Sequence, residues 1–176
     1  MMLALPILAA ALAATSVGST FVNTTPAPID TSYLSVAVGA FDVFDNAEQN
    51  RAVDMRLEYR PNSLSLYKRG ILNIVPFVAV EATSEGSVWG GGGLAFDMQY
   101  HSVYMTPSFG IGAYHSGGGK DLGSAIEFRS QIEAGYEFDN QSRLGVSLSH
   151  TSNAGIGDEN PGVEVISLYY HHPVNF

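Results

Sequence analysis

The sequence predicts an all-β protein, specifically an eight-stranded antiparallel transmembrane β-barrel, on three observations. Eight segments alternate apolar and polar residues with a period of two, which is typical of strands with two different faces. Charged residues occupy the polar positions in the middle of several segments. The composition is rich in glycine (19 residues), tyrosine and phenylalanine (9 each), yet only 14% of residues are charged. Such a composition suits strands whose outer face meets lipid.

The eight segments account for the chain from Ser32 onward and are separated by turn signals. Most are close to ten residues long, the length of a tilted membrane strand. Pro61 ends the second segment, and polar or glycine-rich stretches such as "TSEGS" and "HSGGGKDLG" separate later ones. In order, the segments are YLSVAVGAFDVF (33–44), RAVDMRLEYR (51–60), ILNIVPFVAVEA (71–82), VWGGGGLAFDMQY (88–100), SVYMTPSFGIGAY (102–114), SAIEFRSQIEAGYEF (124–138), SRLGVSLSHTS (142–152) and VEVISLYYHHPVNF (163–176).

Charged residues in mid-segment distinguish a barrel from a water-soluble sandwich built of similar strands. In a sandwich the polar face lies in water, whereas in a membrane barrel it lines the interior and the apolar face meets lipid. The even number of segments and the aromatic last residue, Phe176, favour the barrel, because aromatic ends resemble the assembly signal of bacterial outer-membrane barrels. With eight strands, side chains fill the interior and leave no water-filled pore. The mid-segment charges are Arg56, Glu58, Asp97, Arg129, Glu133 and Glu137.

The chain divides into a short leader and one domain. Residues 1–14 form an apolar run predicted to be a secretory signal peptide, with cleavage near Ala13 or Ala14. Neither Lys nor Arg precedes this run, so either the signal is atypical or the start is misassigned. A membrane-anchoring helix is the alternative, although Pro6 and the shortness of the strongly apolar part weigh against it. Residues 15–31 lead into the barrel domain, 32–176. Export and membrane strands together predict a location in the bacterial outer membrane.

Composition excludes several classes of function. The chain contains no cysteine, which excludes disulfides, thiolate metal sites and a cysteine nucleophile. A net charge of −9 with only 8 Lys and Arg argues against a nucleic-acid partner. His171 and His172 are adjacent on a strand and face opposite sides, so they predict no metal site. We expect neither a metal nor a cofactor.

A candidate catalytic group lies across the last two segments. His150 and Ser152 share a face with Leu148, because alternate residues of a strand point the same way. Glu164 shares the apolar, outward face of the next segment. Residues two apart on a strand lie about 6.5 Å from one another. A serine, a histidine and a glutamate can therefore meet on the outside of the barrel.

Two interpretations of these three residues remain open on spacing alone. Polar groups facing hydrocarbon are costly unless paired. As nucleophile, base and orienting carboxylate they would satisfy one another, and the loop between the segments could offer N–H donors to an oxyanion. Alternatively, His150 is an interfacial residue and Glu164 a rim charge.

The stretch "HTSNAGIGDENPGVE", residues 150–164, resembles the C-terminal signature of the PagL-type lipid A 3-O-deacylases. That signature is His-x-Ser-Asn-Ala-Gly, followed after a short insert by Asn-x-Gly-x-Glu, and it fixes eight positions in these fifteen residues. Upstream similarity is weaker and covers "PFVAVEA" and "LGSAIEFRSQIEAGYEF".

The resemblance implies an eight-stranded outer-membrane barrel that hydrolyses the ester of the 3-hydroxyacyl chain at the 3-position of lipid A. It implies Ser152 as nucleophile, His150 as general base and Glu164 as the partner that orients the base. The side chain of Asn160 and the backbone of Gly155 become candidate oxyanion donors, with Asn153 as a third candidate. The mechanism needs no metal. The partner is lipopolysaccharide in the membrane, and a homodimer is left open. A non-enzymatic structural or adhesin-like barrel is the alternative function.

Overall fold

The computed structural model describes residues 30–44 and 51–174, and nearly all of this part of the chain is β-structure. Each of the eight predicted segments forms a strand whose ends fall within a few residues of those predicted. The strands are β1 (Ser32–Phe41), β2 (Ala52–Arg60), β3 (Tyr67–Arg69), β4 (Leu72–Thr83), β5 (Val88–Tyr100), β6 (Val103–His115), β7 (Ile126–Glu137), β8 (Arg143–Ser152) and β9 (Val163–Val174).

Eight long strands close into an antiparallel barrel, which confirms the predicted fold. The order around the wall is β2-β1-β9-β8-β7-β6-β5-β4, and pairing of β2 with β4 completes the ring. The short strand β3 was not predicted. It pairs only with the start of β4, as a small flap at one end of the barrel. With three residues, it is too short to show a periodicity.

The turn between β2 and β4 contains the helical structure of the described residues. A single turn of 3-10 helix, Asn62–Leu64, follows Pro61. Within 30–44 and 51–174, no helix is both long and apolar enough to cross a bilayer. The predicted signal peptide and most of the leader lie outside the described residues, and the division into leader and barrel domain stays a prediction.

Ion pairs fill the interior of the barrel. Arg56 bonds Asp54 at 2.8 Å and Glu81 at 2.9 Å, and Arg60 bonds Glu58 at 2.5 Å. Farther along the axis, Arg143 contacts Asp97 at 2.8 Å. Charges taken out of water need partners of opposite sign. The paired side chains therefore fill the interior with a packed polar core, and no open channel remains among the described residues, as expected for eight strands. Five of the six mid-segment charges, Arg56, Glu58, Asp97, Arg129 and Glu133, are less than 5% exposed. The sixth, Glu137, is half-buried and bonds Arg143 at 2.8 Å.

Arg129 of β7 joins two parts of this network. Its guanidinium lies 3.2 Å from a carboxylate oxygen of Glu58 and 3.4 Å from one of Glu81. The same group lies 4.5 Å from the ring centroid of Trp89 and 5.4 Å from that of Phe77. A desolvated cation is stabilised both by carboxylates and by aromatic faces. Arg129 thus ties β7 to β2, β4 and β5 through the interior.

The exterior of the barrel is apolar, as the alternation predicts. On each long strand, residues that alternate with the buried polar set carry exposed aliphatic or aromatic side chains. Examples are Val36, Val38, Met55, Leu57, Val78, Val80, Met105, Ile111, Ile132, Val146, Leu148 and Leu168. Large exposed apolar surfaces of this extent belong in lipid and not in water.

Three connections, 84–87, 116–125 and 153–162, lie at one end of the barrel, together with the end of β1 and the start of β2. Loop 116–125 folds back over the barrel mouth. Its Leu122 is fully buried and packs with Phe41, Val163 and Val165, which face inward from β1 and β9. The interior is therefore closed at this end by an apolar layer above the ion pairs.

We expect Arg129→Met to destabilise the barrel by roughly 3 kcal/mol, the lower part of the range for breaking a buried ion pair. The loss is moderated because Glu58 keeps Arg60 and Glu81 keeps Arg56 as partners. Urea unfolding of the refolded protein in lipid vesicles, followed by tryptophan fluorescence, measures this change.

Arg69→Met is the matched control. Arg69 is an exposed residue of β3, so its replacement is expected to change the unfolding free energy by about 0.5 kcal/mol or less. Equal stability of the Arg129→Met and Arg69→Met proteins would contradict the assigned role of Arg129.

Candidate active site

His150 and Glu164 are paired directly across β8 and β9 on the exterior of the barrel. Their Cα atoms are partners in the register of the two strands. Leu148 and Ile166, one step deeper on the same faces, are exposed apolar residues, whereas Ser149 and Val165 point inward and are buried. His150 and Glu164 therefore both lie on the outward faces of their strands, as expected from the alternation.

A hydrogen bond joins the imidazole to the carboxylate. His150 Nδ1 lies 2.9 Å from Glu164 Oε1, and the two side chains are 47% and 31% exposed. A carboxylate only accepts hydrogen bonds when ionised, so the proton of a neutral ring resides on Nδ1. Nε2 is left as the basic nitrogen of the ring.

Ser152 is the last residue of β8 and lies on the same face as His150. It is half-buried, and its Cα partner on β7 is Phe128. Two residues along a strand correspond to about 6.6 Å. The hydroxyl has no hydrogen-bond partner in the described ranges, so the hydrogen bonds of the site join His150 to Glu164 and do not include Ser152.

Gly162 lies against the imidazole on the loop side. Its φ is +62°, in the left-handed region, which an L side chain enters only with strain. A Cβ atom at this position would lie 2.8 Å from His150 Cε1 and 3.5 Å from Nε2. The backbone conformation therefore favours glycine here, and a larger residue would displace the imidazole.

Asn153 anchors the loop that follows Ser152. Its buried side-chain amide donates to the carbonyl oxygens of Leu122, at 2.9 Å, and Glu159, at 2.7 Å. Its Oδ1 accepts a hydrogen bond from Gly155 N–H at 2.9 Å, and its own N–H donates to Asn160 Oδ1 at 3.0 Å. The residue after the serine is thus fixed to loop 116–125 and, through Leu122, to the barrel mouth.

These bonds separate the three oxyanion candidates. The side-chain amide of Asn153 already donates to Leu122 and Glu159, and the N–H of Gly155 donates to Asn153 Oδ1. Asn160 uses its Oδ1, and nothing in the described chain accepts from its Nδ2. Of the three, Asn160 keeps a side-chain donor available to a ligand.

A shallow groove runs over the apolar wall beside the site. Its volume is about 380 Å³, and almost all of its exposed lining is apolar. From His150 and Glu164 it extends across β7 to β6, away from β9. The outward residues along it are Leu148, Ser130, Ile132, Pro107 and Phe109.

A second serine, histidine and glutamate meet inside the barrel. His171 Nδ1 lies 2.6 Å from Ser35 Oγ, and His171 Nε2 lies 2.5 Å from Glu133 Oε1. All three residues are completely buried, so no lipid can reach them. This internal group links β1, β9 and β7. His172, the next residue, faces outward, as its adjacency to His171 predicts.

Three features of the site were not predicted from the sequence: the contact of Gly162 with the imidazole, the anchoring of Asn153 by Leu122, and the groove that includes Ser130. An apolar leucine inside the polar stretch "HSGGGKDLG" was the available signal for the second. Among the residues described, no group of three His, Cys, Asp or Glu side chains is placed to hold a metal ion.

The fold and the site define a class of protein: a small membrane barrel with a histidine–carboxylate pair on its lipid-facing wall. The sequence model of the family described as lipid A 3-O-deacylase (PagL) matches residues 41–173. The chain belongs to this family, and the resemblance noted at residues 150–164 is confirmed.

Two curated relatives are both named lipid A deacylase PagL. The one from Pseudomonas aeruginosa is 36% identical over 73 residues, covering 40% of this chain and 42% of the relative. The one from Bordetella bronchiseptica is 33% identical over 91 residues, covering 49% of this chain and 51% of the relative. The chain thus spans about half the length of the curated relatives it matches.

Two solved structures share the fold. One is titled as the crystal structure of the outer membrane enzyme PagL, with a TM-score of 0.61 and 24% identity, covering 81% of this chain and 99% of that one. The other is a de novo designed transmembrane β-barrel, with a TM-score of 0.54 and 12% identity, covering 82% and 96%. Closed strands, a charged interior and an apolar wall are the features of a barrel that spans a membrane through its strands, the fold that both solved structures share.

Gly162→Ala is expected to displace the His150 ring, because the new methyl group would lie 2.8 Å from Cε1. The expected result is a change in the imidazole resonances of His150 in spectra of ¹⁵N-histidine-labelled protein in micelles, with the other histidines unaffected.

Gly70→Ala is the control, since Gly70 has a nearly identical φ of +59° but no atom within 4 Å of an added Cβ. Both variants carry similar backbone strain of about 1 kcal/mol, and only the first touches the site. Unchanged His150 resonances in Gly162→Ala would contradict the proposed packing.

Proposed function

We propose that this protein is a serine esterase that removes the acyl chain from the 3-position of lipid A, using Ser152, His150 and Glu164 on the barrel exterior. The observation that carries the proposal is the 2.9 Å hydrogen bond between His150 Nδ1 and Glu164 Oε1 on a wall that otherwise faces lipid. The family to which the chain belongs, and the names of its relatives, support lipid A as the substrate.

The proposed reaction begins with attack of Ser152 Oγ on the ester carbonyl carbon. His150 Nε2 takes the hydroxyl proton, and Glu164 stabilises the imidazolium through Nδ1–H. The tetrahedral intermediate collapses by breaking the bond to the sugar oxygen, which receives the proton from Nε2. Water then attacks the acyl-serine with the same base and releases the 3-hydroxy fatty acid.

Side-chain rotation is needed to complete the triad, because the Ser152 hydroxyl is unpartnered within the described chain. Its position on the same face as His150, one step along β8, puts the two side chains within reach of each other. Catalytic hydrogen bonds are commonly loose in the absence of substrate and tighten when it binds.

The Nδ2 of Asn160 is proposed as the oxyanion donor. The hydrogen bond from Asn153 N–H to Asn160 Oδ1 orients this amide. Gly155 and Asn153 stay candidates, but each would first have to give up a hydrogen bond inside the loop. A single preorganised donor is worth roughly 10²–10³ in rate.

An exterior site suits a lipid substrate. The acyl chains of lipid A lie in the bilayer, and the groove beside His150 offers them an apolar wall without extraction from the membrane. The substrate therefore approaches by lateral diffusion, and only the ester reaches the polar residues near the end of β8.

A structural or adhesin-like barrel, the alternative function, gives no reason for this arrangement. Such a protein needs neither a hydrogen-bonded histidine and glutamate facing lipid nor a glycine shaped around the imidazole. No observation specifically favours it.

Ser152→Ala is expected to abolish deacylation, by 10³-fold or more, because it removes the nucleophile. Mass spectrometry of lipid A from cells expressing each protein measures the loss of one 3-hydroxyacyl chain. Ser63→Ala, a replacement of an exposed serine in the turn after β2, is the control and should retain full activity. Undiminished release of fatty acid by purified Ser152→Ala would show that another group attacks the ester.

Glu164→Gln is expected to lower the rate but to leave partial activity, above that of Ser152→Ala, because losing the orienting carboxylate costs less than losing the nucleophile. The amide oxygen can still accept from Nδ1–H, but it lacks the charge that stabilises the imidazolium. Initial rates in detergent micelles, compared at equal amounts of folded protein, measure the difference. Full activity of Glu164→Gln would exclude an electrostatic role for the carboxylate.

A further inference from the structure

We infer that the hydroxyl of Ser130 recognises the 3-hydroxyl group of the acyl chain that is cleaved, and so makes the enzyme selective for 3-hydroxyacyl esters. This inference rests on the proposed function. It assigns a role in substrate specificity to a residue outside the family signature, on β7.

The distribution of polar residues on the exterior is the first observation. The outward faces of the eight long strands carry aliphatic, aromatic, methionine, glycine, alanine or proline side chains, apart from tyrosines and histidines toward the strand ends and Ser32 at the start of β1. In the described strands, the remaining outward polar residues are Ser130, His150, Ser152 and Glu164. Three of these are the proposed triad, and the fourth is Ser130.

The strand register places Ser130 next to the triad. Its Cα partner on β8 is His150, and its Cα partner on β6 is Phe109. The imidazole thus has Glu164 on one side and Ser130 on the other. Ser130 also lines the groove that contains His150 and Glu164.

The hydroxyl of Ser130 is available to a ligand. It is half-buried, and within residues 30–44 and 51–174 its side chain makes no hydrogen bond. In contact with hydrocarbon, an unpaired hydroxyl is unfavourable and gains from any donor or acceptor brought to it. An acyl chain lying in the groove passes over this position.

The distances fit a 3-hydroxyl group. Ser130 is diagonal to Ser152 across β7 and β8, which corresponds to about 7–8 Å between Cα atoms. In the acyl-serine, the carbonyl carbon is bonded to Ser152 Oγ. The hydroxyl oxygen on the third carbon of the chain is then four bonds from Oγ. With about 1.5 Å per bond and zigzag bond angles, this oxygen lies roughly 5 Å from Oγ in an extended chain. A hydrogen bond of about 2.8 Å then spans the rest of the distance to Ser130.

The direction of the groove supports the same orientation. Ser152 lies at the loop end of β8, whereas Leu148 and its partner Ile132, which line the groove, lie two steps deeper in the wall. An apolar tail leaving Ser152 is most stable when it follows the wall into the bilayer. That path leads from the carbonyl past Ser130 to Ile132.

The test uses full-chain protein refolded in micelles and two synthetic glucosamine 3-O-esters whose acyl chains have equal length, one with and one without the 3-hydroxyl group. Wild type is expected to prefer the hydroxylated ester by about tenfold in kcat/KM, the upper part of the range for one hydrogen bond. In Ser130→Ala the preference should fall to less than about twofold, through slower hydrolysis of the hydroxylated ester alone. Ser130→Thr, which restores a hydroxyl, should restore the preference.

Ile132→Ala is the matched control in the same groove. It alters contact with the tail and not with the hydroxyl, so it should affect both esters equally. An equal loss on both esters in Ser130→Ala would overturn the inference and indicate that Ser130 positions His150. An unchanged preference in Ser130→Ala would also overturn it. Failure of wild type to hydrolyse either ester would overturn the proposed function itself, an outcome distinguishable from the other two.

Discussion

The alternation of side chains along each strand is the constraint from which the structure follows. It sends one set of residues into the barrel and the other into lipid, so each set must satisfy its own surroundings. Inside, arginines and carboxylates neutralise one another, as Arg56 does with Asp54 and Glu81. Because the interior pairs its own charges, the wall can be almost uniformly apolar. On such a wall a polar side chain is unfavourable unless it is paired, and the hydrogen bond between His150 and Glu164 pairs these two.

The strands and their faces could be predicted from the sequence because both depend on a local period of two. The same parity predicts that Ser152, His150 and Glu164 share one exterior patch. Closure of the sheet into a barrel could also be predicted, because the charges in mid-strand need an interior shielded from lipid. The short strand β3 was not, because three residues carry no period.

The parts of the site that were not predicted depend on contacts between distant segments. Asn153 is followed by the sequence of a flexible loop, yet its side chain is held by the carbonyl oxygens of Leu122 and Glu159. Gly162 looks like one more loop glycine until its distance from the imidazole is known. Ser130 is 20 positions from His150 in sequence, and only the register of β7 with β8 makes them neighbours. Register is decided by the whole sheet and not by any one strand.

The buried group of Ser35, His171 and Glu133 has a bearing on that register. It joins the first strand, the last strand and β7 at a single height along the barrel axis. A slip of β9 by two residues would keep every face correct but would pull Glu164 one step away from His150. The same slip would move His171 away from Ser35 and Glu133 and break both of its hydrogen bonds. The buried His171 therefore fixes the register of β9, and this register keeps His150 opposite Glu164 even without substrate.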